Sequence, residues 1–122
     1  MSTPDPVPSN SLLNRLHELE KETDTEFVHE LIEIYVNETP KQIQSIAAAL
    51  STGNYPALVI AAHTLKGSSL NLGAKPLGAL CLKLEEIGRT GNAIPENSFI
   101  SEIENEFETV KSMLQDFHLG KL

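Results

Sequence analysis

Cysteine occurs once in these 122 residues, and apolar residues never run on for long. The lone Cys81 has no partner for an intramolecular disulfide, which points to a reducing compartment. The longest apolar run, Ala57 to Ala62, is six residues, against the ~20 that cross a bilayer, and the N-terminal portion holds no stretch of signal-peptide length. A cytoplasmic protein without membrane contact is expected. Basic residues are few: nine Lys and Arg stand against 17 Asp and Glu, for a net charge of −8. No basic run with interleaved aromatics offsets this, so nucleic acid is not an expected partner. Strand-like alternation, internal repeats and sustained heptads are also missing, which argues against β structure, a solenoid and a coiled coil. His17, His29, His63 and His118 show no ligand spacing with one another or with Cys81, so no metal site is expected.

What is present suits one helical domain. Hydrophobic residues make up 40% of the chain, enough for a core in a domain of this size. Residues 1–9, with prolines at 4, 6 and 8, read as a flexible N-terminal arm, and residues 10–122 as the domain. Leu12, Leu13, Leu16 and Leu19 mark a short first helix. A second starts at Asp24 or Thr25 and extends to Gly53, with Thr39–Pro40 expected to kink it or break it in two. A third covers about Tyr55 to Leu72, closed by Gly73. A fourth covers Pro76 to Arg89, with Gly88 and Gly91 marking its stop. A fifth begins near Asn97 or Ser98. The expected fold is all-α, an antiparallel four-helix bundle core with an additional short N-terminal helix.

Charge is unevenly spread. From Thr39 to Leu84 there is no acid, while Lys41, Lys66, Lys75 and Lys83 give +4; the remainder holds five basic and all 17 acidic residues. Such a distribution fits either buried middle helices or a site prepared for an anion. The third helix bears on the choice. At ~100° per residue, Leu58, Ala61, Ala62, Leu65, Ser69 and Leu72 share one inward arc. His63 falls nearly opposite, with Lys66, Gly67 and Leu70 on its side. A solvent-facing imidazole is a competent nucleophile near neutral pH. A lysine one turn away would attract phosphoryl oxygens, by up to ~4 kcal/mol before salt screening. Gly67 costs the helix about 0.8–1.0 kcal/mol relative to alanine, a cost that open access beside His63 would explain. Val59, Ile60 and Leu70 form an apolar surround suited to partner docking. Lys66-Gly67-Ser68-Ser69 lacks the glycine and Gly-Lys-Ser/Thr order of a P-loop.

The run Ala61-Ala62-His63-Thr64-Leu65-Lys66-Gly67-Ser68-Ser69, followed by Leu72-Gly73-Ala74, closely resembles the signature of histidine-containing phosphotransfer (HPt) domains of two-component phosphorelays. The likeness implies a phosphorelay intermediate that accepts a phosphoryl group on His63 and exchanges it with receiver-domain aspartates. It implies Lys66 as the phosphate-side cation and Gly67 as the access residue. It further implies a sensor or hybrid histidine kinase as partner, no cofactor of the chain's own, Mg²⁺ held by the receiver, and neither an ATP site nor enzyme activity. A monomer is expected. In some relatives a polar residue, often glutamine, approaches the acceptor ring from the following helix. Glu85 takes that place here, and because a carboxylate repels a phosphoryl group it is expected to lie outside the site. A helical interaction or oligomerisation module without phosphotransfer is the alternative.

Overall fold

The computed structural model describes residues 9–91 and 98–120. The expected arm falls outside them apart from Ser9, which already opens the first helix, and so does the proposed start of the last helix at Asn97. Five helices follow one another: α1 (Ser9–Glu22), α2 (Thr25–Thr52), α3 (Tyr55–Asn71), α4 (Lys75–Thr90) and α5 (Ser98–His118). No strand occurs among the described residues.

Local chemistry sets most boundaries. Asp24, in extended backbone, accepts the Phe27 N–H at 2.7 Å and starts α2. Gly53 ends it: its own N–H reaches the Leu50 carbonyl and that of Asn54 reaches Ala49. Asn54 then turns its side chain forward to accept the Ala57 N–H at 3.1 Å, starting α3 just before Pro56. Gly73 closes α3 in the same way, with φ of 87° and the Ala74 N–H on the Ser69 carbonyl at 2.8 Å. Of the kink or break expected at Thr39–Pro40, the break does not occur: α2 runs through Pro40 as one helix. Proline withholds one donor, the one due to the Val36 carbonyl, at an exposed position of the helix. Buried Val28, Ile32 and Tyr35 before it, and Ile43 and Ile46 after it, hold both halves on the same core.

Helices α2 to α5 pack around a ring, α2 on α3, α3 on α4, α4 on α5 and α5 on α2, an antiparallel four-helix bundle. Leu58, Leu65, Leu77, Leu84, Ile103 and Leu114 are completely buried at its centre. Cys81 is buried with them, and burial pushes its thiol up to about 12. α1 covers one end. Its Arg15 donates from Nε to the Asn71 carbonyl at 3.0 Å, and His17 meets the Phe117 ring edge-on at 5.3 Å. His29 and His118 are half-buried, their rings tilted at 47° with centroids 4.1 Å apart. The start of α2 and the end of α5 meet there, a juxtaposition that no sequence spacing announces.

Candidate functional site

The inward arc of α3 packs as its spacing predicts: Leu58, Ala62, Leu65 and Ser69 are buried, and Ala61 is half-buried. Ser69 shares a 2.7 Å hydrogen bond with the Tyr35 hydroxyl of α2, whose acidity burial drives down to a pKa of about 12. This tie sets α3 with its other face outward. His63 is on that face, its side chain 62% exposed. Gly67 lies one turn on, and a Cβ built there meets nothing within 4 Å.

Two buried glycines of α4 bring its backbone up to α3. A Cβ on Gly78 would lie 2.5 Å from the Leu70 side chain, and one on Gly88 would lie 2.8 Å from Val59. Gly88 is thus a seat for Val59, and the stop of α4 falls at Gly91, in left-handed backbone. Between these seats Glu85 projects toward α3, and here the structure corrects the sequence reading. Glu85 is inside the site, 1% exposed. Its Oε2 lies 3.1 Å from His63 Nδ1 and 2.5 Å from an Arg89 guanidinium nitrogen. Its Oε1 has the Lys66 ammonium at 2.8 Å, an ion-pair contact off the ideal hydrogen-bond angle. The repulsion argued from sequence counted one carboxylate against one phosphoryl group, whereas the fold sets two cations on that carboxylate.

The Lys66 contact leads in holding the Glu85 carboxyl below the usual carboxylate range; burial opposes it, and the His63 and Arg89 contacts reinforce it. Glu85 is therefore anionic and can only accept. The proton in its hydrogen bond with neutral His63 must sit on Nδ1, which leaves Nε2 with a free lone pair. A carboxyl group whose pKa falls on folding stabilises the fold fully above its unfolded value of 4.5, and that stability drains away as pH falls toward the folded value. Urea unfolding from neutral pH downward should show a loss of stability below pH 4.5 that is smaller in Glu85→Gln.

Of the expected docking residues, Ile60 is 68% exposed and Leu70 46%. Val59 is only half-buried surface, because Gly88 receives it. Leu82, 40% exposed and three residues before Glu85, adds an apolar position on the adjoining face of α4 that the sequence reading missed. Arg89 was missed too, although its spacing of four from Glu85 was a readable signal.

Residues 30–113 match the family model described as Hpt domain, a span that includes His63, Lys66, Gly67, Glu85 and Arg89. The chain is 29% identical over 110 residues to histidine-containing phosphotransfer protein 2 of Arabidopsis thaliana, covering 87% of this chain and 70% of that one. It is 25% identical over 96 residues to the phosphorelay intermediate protein rdeA of Dictyostelium discoideum, covering 79% of this chain and 38% of the relative. The crystal structure of histidine-containing phosphotransfer protein B from Pseudomonas aeruginosa superposes with a TM-score of 0.81 at 29% identity, over 87% of this chain and 91% of that one.

Proposed function

From the premise that this chain belongs to the Hpt domain family, phosphorelay proteins that act with histidine kinases and receiver domains, we propose that His63 is its phospho-acceptor and Nε2 the reacting atom. The observation that carries this is the hydrogen bond of 3.1 Å from His63 Nδ1 to buried Glu85 on an otherwise exposed ring. The Nε2 lone pair attacks the phosphorus of a receiver aspartyl phosphate. A P–N bond forms, the P–O bond to the aspartate breaks, and the carboxylate leaves with its electron pair. The ring keeps its Nδ1 proton and becomes cationic, with the Glu85 carboxylate against that side. Return to a receiver reverses these steps.

Lys66 and Arg89 against Glu85 leave the cluster with a net charge of +1, favourable to an incoming phosphoryl group. Mg²⁺ belongs to the receiver in this reading, and the chain works as a cytoplasmic monomer with neither a cofactor nor an ATP site of its own. Ile60, Leu70 and Leu82, with the exposed edge of Val59, form the apolar docking surround. Gly67 keeps the approach open. Because a Cβ there meets nothing, Gly67→Ala should raise stability by about 0.8–1.0 kcal/mol through helix propensity, yet slow transfer from a phosphorylated receiver. Paired denaturation and transfer measurements check both signs. The function itself is tested by acid-labile phosphate labelling from a phosphorylated receiver, with His63→Gln as the control.

A further inference from the structure

Across the ring of helices from the α3–α4 seam that holds His63, α2 packs on α5, and two imidazoles meet there that the phosphoryl chemistry does not use. His29 of α2 and His118 of α5 are each half-buried and in ring contact. The Nδ1 of His118 is buried without a hydrogen-bond partner, a condition that buried polar atoms rarely keep. The ring contact leaves that atom unanswered. Glu33, exposed and one turn beyond His29 on α2, lines together with His118 a hollow of about 420 Å³ that Gln115 and Leu119 border from α5.

These are donors that suit a borderline divalent cation. Neutral imidazole is the commonest ligand of zinc, and a carboxylate often completes its set. Two Zn–N bonds of about 2.0–2.1 Å join nitrogens no more than about 4.2 Å apart, and rings with centroids 4.1 Å apart bring their edges within that reach. Among the described residues no three His, Cys, Asp or Glu side chains are already arranged to hold an ion, so the third donor has to move. Glu33 can turn, because its side chain stands exposed at the rim of the hollow. We propose that His29 and His118, with Glu33 turned in from the rim and water in the fourth position, form a binding site for Zn²⁺ that ties the start of α2 to the end of α5. The site lies on the seam opposite the transfer site, so the ion braces the bundle and takes no part in phosphoryl exchange. The histidine spacing that argued against a metal site counts along the chain, whereas the antiparallel pairing of α2 with α5 joins residues 29 and 118 in space.

The test uses the full chain, stripped of metal with a chelator and titrated with Zn²⁺ alone. In NMR spectra the imidazole signals of His29 and His118 should shift together up to one equivalent of ion, with those of His17 and His63 unmoved. Isothermal titration should give one site, abolished in His29→Gln and in His118→Gln and weakened about tenfold in Glu33→Gln, the low end of what a lost metal partner costs. At a free ion concentration ten times the dissociation constant, Tm should rise by about 5 °C, in the wild type and in His63→Gln alike. Signals of His63 that move first, or binding lost in His63→Gln, would put the ion at the transfer site and overturn the proposal. So would an affinity that none of the three substitutions at positions 29, 33 and 118 changes. Circular dichroism without metal checks that each variant folds, and the wild-type spectra decide the matter even where a variant does not. Phosphoryl uptake by His29→Gln should match the wild type. Because the titration needs no phosphate, failure of labelling at His63 would sink the functional reading without touching this one.

Discussion

His63→Gln will carry no phosphate when incubated with a phosphorylated receiver or cognate kinase, while the wild type acquires a label that acid removes and alkali spares. The expected loss is complete, because glutamine offers no comparable nucleophile: the lone pair of its amide nitrogen is delocalised into the carbonyl. The fold should survive. The His63 side chain is 62% exposed and makes one hydrogen bond, to Glu85, and a side-chain amide at that position can still donate to the carboxylate. The stability change should stay within about 1 kcal/mol. Labelling that persists in a folded His63→Gln protein would move the acceptor elsewhere and refute the assignment.

The largest expected effect on stability lies at the opposite functional pole, in Gly73→Ala. Gly73 has φ of 87°, a conformation that costs a residue with a Cβ about 1–2 kcal/mol. A Cβ there would also lie 2.9 Å from both the Ser11 carbonyl oxygen and Arg15 Cβ, and 3.1 Å from Leu12 Cα. Two of these neighbours are backbone and cannot swing aside, so α1 must lift from the α3–α4 turn. Together strain and overpacking should cost about 2–4 kcal/mol, a fall of roughly 10 °C in Tm. His63 is ten residues back along α3, roughly 15 Å at helical rise. Phosphoryl uptake measured well below the melting transition should therefore be nearly normal, and a thermal melt beside a low-temperature transfer assay separates the two. A melting point within a degree or two of wild type would mean that α1 does not press on this turn.

The pattern of legibility follows from what each feature depends on. The five helices, the outward side of His63 and the open space at Gly67 are set by periodicity and capping within single helices, and these can be read residue by residue. α3 was orientable although it is apolar on both faces, because Ala62, Leu65 and Ser69 keep to one arc while Ile60 and Leu70 keep to the other. Glu85 was misread because its setting depends on the distance between two helices, which Gly78 and Gly88 shorten. Those glycines look like punctuation in a sequence and act as clearance in the bundle. The sign of the local charge also needs Lys66, Glu85 and Arg89 summed in space, across α3 and α4. Val59 failed as a fully outward residue for the same reason: its neighbour is a missing side chain on another helix. The continuity of α2 through Pro40 was decided by packing on both sides of the proline, against local preference.

The buried hydroxyl pair of Tyr35 and Ser69 fixes more than the rotation of α3. Sliding α3 along α2 by a single turn, about 5.4 Å, would strand both hydroxyls without partners in the core, so the pair works as an axial stop. The height of the imidazole above its docking surround is thereby determined on the inner side of the helix, by two groups that never meet the phosphoryl donor.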